Sequence, residues 1–124
     1  FSRGFQKSKA LFGIEQLINV NTLFVVEGAF DAMWLDQYGY TSVAILGSSI
    51  SSSQISLISS LNPTEVVLCL DNDTAGEIGM QKALTSLSTR CRVSRVSLPG
   101  GYKDVQDIRD IEILNETVEK RIYW

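Results

Sequence analysis

The sequence has 124 residues, which is enough for one domain with a hydrophobic core and too few for two. Hydrophobic residues make up 44% of it and charged residues 20%, and no apolar run approaches the ~20 residues of a membrane-spanning helix. The net charge of −3 differs from the basic balance of a self-sufficient nucleic-acid-binding domain. These features argue against a helical membrane protein and predict a globular domain.

The first ten residues differ from the rest, because they carry three bases and no acid. Phe1 and Phe5 are interleaved with these bases, so the segment is either an arm that contacts phosphates or a solvated linker. The bases are Arg3, Lys7 and Lys9.

Short apolar runs of strand length alternate with segments of helical periodicity. The alternation predicts an α/β domain with a mainly parallel sheet of about four strands, covered on both faces. The first run is 23–26, and the helix 31–38 follows it with Phe30, Met33, Trp34 and Gln37 along one side. The later elements are a strand at 43–46, a helix through 55–61, a strand at 66–70, a helix through 80–87, a weaker, edge-like strand at 93–98 and a terminal helix through 108–118.

Acidic or glycine-bearing segments follow the apolar runs. Right-handed crossovers place the carboxyl ends of parallel strands along one edge of the sheet, where ligands of open α/β sheets bind. We therefore expect these segments to meet there. In chain order they are Glu27-Gly28, Gly47-Ser48-Ser49, Asp71-Asn72-Asp73 and the loop that holds Lys103-Asp104.

Asp71 and Asp73 come directly after the most strand-like run. Two neighbouring carboxylates repel each other, and a divalent cation with a preference for oxygen ligands removes that repulsion. The alternative is a polar turn that caps the next helix. A zinc site is disfavoured, because the chain has no histidine and only Cys69 and Cys91, which we expect to be buried thiols in a reducing cytoplasm.

Four motifs in order resemble the Toprim domain, in the version found in DnaG-type bacterial and phage primases. The resemblance implies a three-layer α/β/α fold for residues 21–110, after an N-terminal arm (1–20) that ends the preceding primase segment and before a C-terminal helix (111–124). The motifs are Val25-Val26-Glu27-Gly28-x-x-Asp31-Ala32, Leu46-Gly47-Ser48-Ser49, Asp71-x-Asp73-x-Ala75-Gly76 and Lys103-Asp104.

The resemblance also implies roles for individual residues. Glu27 would be an acid/base group or a metal contact, and Asp71 and Asp73 would bind Mg2+ or Mn2+. Asp31 and Asp104 would support a second metal or orient the first. One position departs from the family pattern, because Gln106 stands where a second acid is usual and the next acid is Asp107.

The function implied is that of the catalytic domain of a cytoplasmic DNA primase, which makes short RNA primers by metal-dependent nucleotidyl transfer. Its partners would be single-stranded DNA, nucleoside triphosphates and a replicative helicase, with Arg3, Lys7, Lys9 and Lys103 as contacts to nucleic acid or nucleotide. The fragment alone is expected to be inactive. Two alternatives stay open, namely a Toprim nuclease that cleaves DNA phosphodiesters and a Toprim-like interaction module without catalysis.

Overall fold

The computed structural model describes residues 13–14, 20–47, 50–70 and 74–124, without the side chains of 74–80. The elements follow the alternation predicted from the sequence, with strands separated by helices. The strands are β1 (Thr22–Val26), β2 (Ser42–Ala44), β3 (Glu65–Cys69), β4 (Arg92–Arg95) and β5 (Ile122–Tyr123), and the helices are α1 (Ala29–Gln37), α2 (Ser52–Ser60), α3 (Thr74–Leu87) and α4 (Ile111–Glu119), with a short 3-10 helix at Val105–Asp107.

The strands form one five-stranded sheet in the order β2-β1-β3-β4-β5. Strands β1 to β4 are parallel, which confirms the predicted parallel sheet, and β5 runs antiparallel to β4. The predicted C-terminal helix over 111–124 is wrong for its last residues, because α4 ends at Glu119 and Ile122–Tyr123 form β5. The prediction that the fourth strand lies at an edge is also wrong, because β4 lies between β3 and β5.

Both faces of the sheet are covered, because successive side chains of each strand point to opposite sides. Leu23 and Val25 of β1 pack with the buried residues of α2 and α3. Phe24 and Val26 pack on the other face with α1, α4 and the 3-10 helix. The result is the predicted three-layer α/β/α arrangement.

The strand order of the sheet changes direction at β1, because β2 and β3 lie on opposite sides of it. The chain runs from β1 to β2 on one side and then crosses to β3 on the other side of β1. This reversal opens a crevice at the carboxyl ends of β1 and β3, which is where ligands of open α/β sheets bind.

Helix α1 buries the acidic residue of its first turn, Asp31. Asp31, Ala32 and Leu35 are its buried residues. Phe30 and Met33 face outwards and are 71% and 51% exposed, so part of the apolar side predicted for this helix does not pack on the sheet.

The C-terminal segment is fastened to the sheet by an ion pair. The Arg121 guanidinium donates from Nε to Glu65 Oε2 at 2.7 Å and from a terminal nitrogen to Oε1 at 3.1 Å. Ser94 of β4 also donates to Glu65 Oε2, at 2.6 Å. One carboxylate thus joins β3, β4 and the turn between α4 and β5.

Among the described residues, no helix has the length and apolar character needed to cross a membrane. The two cysteines are free thiols, and Cys69 is buried whereas Cys91 is partly exposed.

Candidate metal centre

Glu27 lies at the crevice between β1 and β3, one residue beyond the end of β1. The register pairs Val26 with Cys69, so Glu27 is level with the buried Leu70, the residue that precedes Asp71 in the chain. The Glu27 carbonyl accepts a hydrogen bond of 2.7 Å from the Leu46 amide, which extends the β1–β2 ladder past both strands. The backbone that carries Glu27 is therefore held by the sheet.

Asp31 lies in the first turn of α1, with only 5% of its surface exposed. The positive end of the helix dipole favours a carboxylate there. A Cβ built on Gly28 would stand 3.3 Å from Asp31 Oδ2, so the carboxylate lies directly over this glycine. Two oxygen atoms, Glu27 Oε1 and Asp31 Oδ1, are buried at this edge of the sheet.

The negative charge of Asp31 reaches the end of β3. Burial raises the pKa of the Cys69 thiol, and the charge of Asp31 raises it further. The thiol therefore stays neutral, and we assign it no role as a nucleophile. The Asp31 carboxylate therefore acts electrostatically on Cys69, the last residue of β3.

The loop at 103–107 forms its own hydrogen bonds. Asp104 caps the 3-10 helix by accepting a hydrogen bond of 3.2 Å from the Asp107 amide. Asp107 Oδ2 in turn accepts a hydrogen bond of 3.0 Å from the Lys103 amide. Each carboxylate thus has a structural partner, and Gln106 between them is half-buried.

The loop after β2 has one feature that the sequence does not signal and one that it does. Leu46 adopts a φ of 59°, a left-handed conformation that is rare for leucine and that nothing in its side chain signals. Ser51 and Gln54 form a capping box, and the Gln54 amide also donates to the Ile45 carbonyl at 2.8 Å. The spacing Ser-x-x-Gln was a readable signal for this box.

Several predicted site residues lie outside the described part of the chain, namely Arg3, Lys7, Lys9, Asp71 and Asp73. Within the described ranges, no group of three acids or cysteines is close enough to hold a metal ion. The described share of the candidate site is thus Glu27 and Asp31, with their buried oxygens at the crevice. Buried carboxylates are the ligands that Mg2+ and Mn2+ prefer, so these two residues fit a divalent cation.

Comparisons with known proteins show the family to which the chain belongs. A family model described as Toprim-like matches residues 24–109. The DNA primase of Haemophilus influenzae is 37% identical over 115 residues, which cover 85% of this chain and 19% of that protein. The chain spans between 15% and 22% of the length of the first DNA primases that it matches.

Solved structures show the same fold. The zinc-binding and RNA polymerase domains of the Aquifex aeolicus primase superimpose with a TM-score of 0.76 and 29% identity, over 100% of this chain and 32% of that one. A DnaG primase catalytic domain bound to single-stranded DNA gives a TM-score of 0.76 and 29% identity, over 98% of this chain and 42% of that one.

Proposed function

This chain belongs to the Toprim-like family, in the form found in DnaG-type DNA primases, and on that premise we propose that it is the catalytic domain of a primase that makes RNA primers on single-stranded DNA. The observation that carries the proposal is the pair of buried carboxylate oxygens, of Glu27 and Asp31, at the crevice between β1 and β3. An acidic crevice at this place in a parallel sheet is suited to phosphoryl chemistry with a divalent cation.

The residues proposed to hold Mg2+ or Mn2+ are Asp71 and Asp73, supported by Asp31 and Asp104. Glu27 is either a further metal contact or the acid/base group. When bound, the cation supplies positive charge that stabilises the transferring phosphoryl group and lowers the pKa of the attacking hydroxyl. The chain itself fixes the position of Glu27 through the β1–β2 ladder and that of Asp31 through α1.

Gln106 and Asp107 lie at the border of the proposed site, where the chain departs from the family pattern. Asp107 is exposed and holds the Lys103 amide, so its carboxylate would have to leave that hydrogen bond to become a ligand. We propose Asp104 as the supporting acid of this loop and Asp107 only as a substitute ligand. Lys103, which is exposed, is proposed as a contact to nucleotide or nucleic acid, as are Arg3, Lys7 and Lys9.

Thermal melting with added Mg2+ or Mn2+ tests the metal site. At a free metal concentration of about 100 times Kd, binding to the folded state adds about 2.7 kcal/mol to the free energy of unfolding. We expect the melting temperature of the wild type to rise with metal, and that of Asp71→Asn to stay constant. Glu116→Gln, a change at an exposed acid of α4, is the matched control and should respond as the wild type does.

Incubation with DNA and nucleoside triphosphates then separates the possible reactions. A longer polypeptide that contains this chain should extend RNA primers, and Glu27→Gln should abolish extension. A metal-dependent nick in DNA without nucleotide incorporation would identify a nuclease instead. A wild type that gains no stability from metal would identify a non-catalytic module.

A further inference from the structure

Phe30 presents an aromatic ring to solvent beside the candidate metal centre. It is 71% exposed, and among the described residues neither an aromatic ring nor a cation contacts it. Leaving an apolar ring of this size in water forgoes roughly 1.5–3 kcal/mol of burial energy. Ala32 and Leu35 already anchor α1 to the sheet, so packing of α1 does not account for Phe30.

The ring borders the site closely. Phe30 precedes the buried Asp31 and follows Glu27 by three residues, so its Cα lies within roughly 11 Å of that of Glu27. Asp31 points into the molecule from the same turn whose outer side carries Phe30. The ring is therefore within reach of a nucleic-acid strand that has a phosphate at the carboxylates.

A second aromatic ring and a cation continue the same face. Trp34 is one helical turn beyond Phe30 and thus its neighbour on the helix surface. Its indole Nε1 donates to the Ile108 carbonyl at 3.1 Å, and the Arg109 guanidinium lies 5.5 Å from its ring centroid. Arg109 forms no ion pair with any carboxylate of the described residues, so its charge is available to a ligand.

Tyr123 of β5 is also exposed, but its ring differs from that of Phe30 in being covered. It is covered by Arg92 and Arg121, each with its guanidinium 5.3 Å from the ring centroid. Arg121 is already bound to Glu65. The α1 outer face, which we define as Phe30, Met33 and Trp34, therefore differs from Tyr123. Its exposed ring, Phe30, is not covered by any cation of the described residues, and it lies one helical turn from Trp34, whose ring Arg109 contacts.

We propose that Phe30 is a stacking platform for a base of single-stranded nucleic acid at the rim of the metal centre, with Arg109 contacting a nearby phosphate. This proposal rests on the proposed function, which brings a single strand to this crevice. Exposed aromatic rings beside cations are the recurrent means of binding single strands, because every base offers a flat face to stack on.

Fluorescence anisotropy with a labelled single-stranded oligonucleotide, at low salt and in EDTA, tests the contact without using the metal site. Phe30→Leu keeps apolar area and removes the aromatic face, and it should weaken binding about tenfold. Phe30→Trp should bind at least as tightly as the wild type. Trp124→Leu, at a 62% exposed aromatic residue next to β5, is the control and should leave Kd unchanged.

An oligonucleotide with abasic sites supplies the second arm. The wild type should bind it about as weakly as Phe30→Leu does, and the variant should lose nothing further. The proposal is overturned if Phe30→Leu binds the normal strand as the wild type does, if it loses equal affinity for the abasic strand, or if the wild type binds no strand at all. Thermal melting with Mg2+ or Mn2+, measured separately, shows in each case whether the metal site is present. Failure of the Phe30 proposal is thereby distinguished from failure of the proposed function.

Discussion

Gly28 lies between the two buried carboxylates of the candidate metal centre. A side chain there would place a Cβ 3.3 Å from Asp31 Oδ2, closer than most Cβ contacts. The backbone of Gly28 has a φ of −105°, which any residue adopts, so the limit at this position is space and not conformation. The absence of a side chain leaves room for the Asp31 carboxylate.

Replacing Gly28 with alanine should move the Asp31 carboxylate by a few tenths of an ångström. We expect the melting temperature in EDTA to change little and the Mg2+ concentration needed for half-maximal stabilisation to rise several-fold. Gly47→Ala is the matched control, because a Cβ at Gly47 meets no atom within 4 Å in the part of the chain that the structure describes. Equal metal responses of the two variants would show that Asp31 does not act on the metal.

The sequence was informative about the position of Glu27 and uninformative about the backbone of the neighbouring loop after β2. Glu27 was predicted at the functional edge because it ends an apolar run, and the structure places it there. The left-handed φ of Leu46 had no such signal, because a leucine normally avoids that conformation and only the surrounding hydrogen bonds impose it.

At the scale of elements, helix α1 shows why hydrophobic periodicity could not predict which side of a helix is buried. The helix carries apolar residues on both its inner and its outer side, so the pattern could not identify the buried side. Tertiary contacts decide it, because the Trp34 indole binds the Ile108 carbonyl and leaves Phe30 outside. Strand β5 escaped prediction because a strand of two exposed residues has no alternation to detect.

The local sequence does not specify β5, and the ion pair between Glu65 and Arg121 holds this segment against the sheet instead. Removing one partner leaves a buried charge without compensation, which costs about 3–5 kcal/mol. We expect Arg121→Met to lower the free energy of unfolding by this amount in urea titrations. The double variant Glu65→Leu, Arg121→Met should recover part of the loss, and a double variant as unstable as the single one would contradict this account.

The same pair predicts a dependence of stability on pH. Burial raises the pKa of the Glu65 carboxyl, but hydrogen bonds from Arg121 and Ser94 and the charge of Arg121 outweigh it, so the folded pKa is lowered. A carboxyl with a lowered folded pKa stabilises the fold fully above its unfolded pKa, about 4.3, and loses this contribution as the pH falls through the folded value.

Urea unfolding of the wild type should therefore show a falling free energy of unfolding as the pH drops below about 4.3. The slope should be smaller in Glu65→Gln, which has no carboxyl to protonate. Glu116→Gln is the control, because the Glu116–Lys120 pair is exposed and a surface pair contributes little. A slope in Glu65→Gln as steep as in the wild type would assign the acid sensitivity to other carboxyls.

At the scale of the whole molecule, the candidate site lies between β1 and β3, the two strands with the most extensive backbone pairing. β1 is paired on both sides, as is β3, and Leu23, Val25 and Leu68 have no exposed surface. β5, in contrast, is an edge strand whose two residues are about half exposed. We therefore expect β1 and β3 to be the most stable part of the sheet and the C-terminal edge to open independently of them.

Hydrogen exchange tests this arrangement and the metal site together. Amides of β1 and β3 should exchange only through global unfolding, so saturating Mg2+ at about 100 times Kd should slow them about 100-fold. Amides of β5 should exchange through local opening, which leaves the metal site intact, and Mg2+ should not slow them. Asp71→Asn should remove the effect on β1 and β3. Equal slowing of β5 and β1 would mean that the edge opens only when the crevice does, because the fold would then be a single cooperative unit around the metal centre.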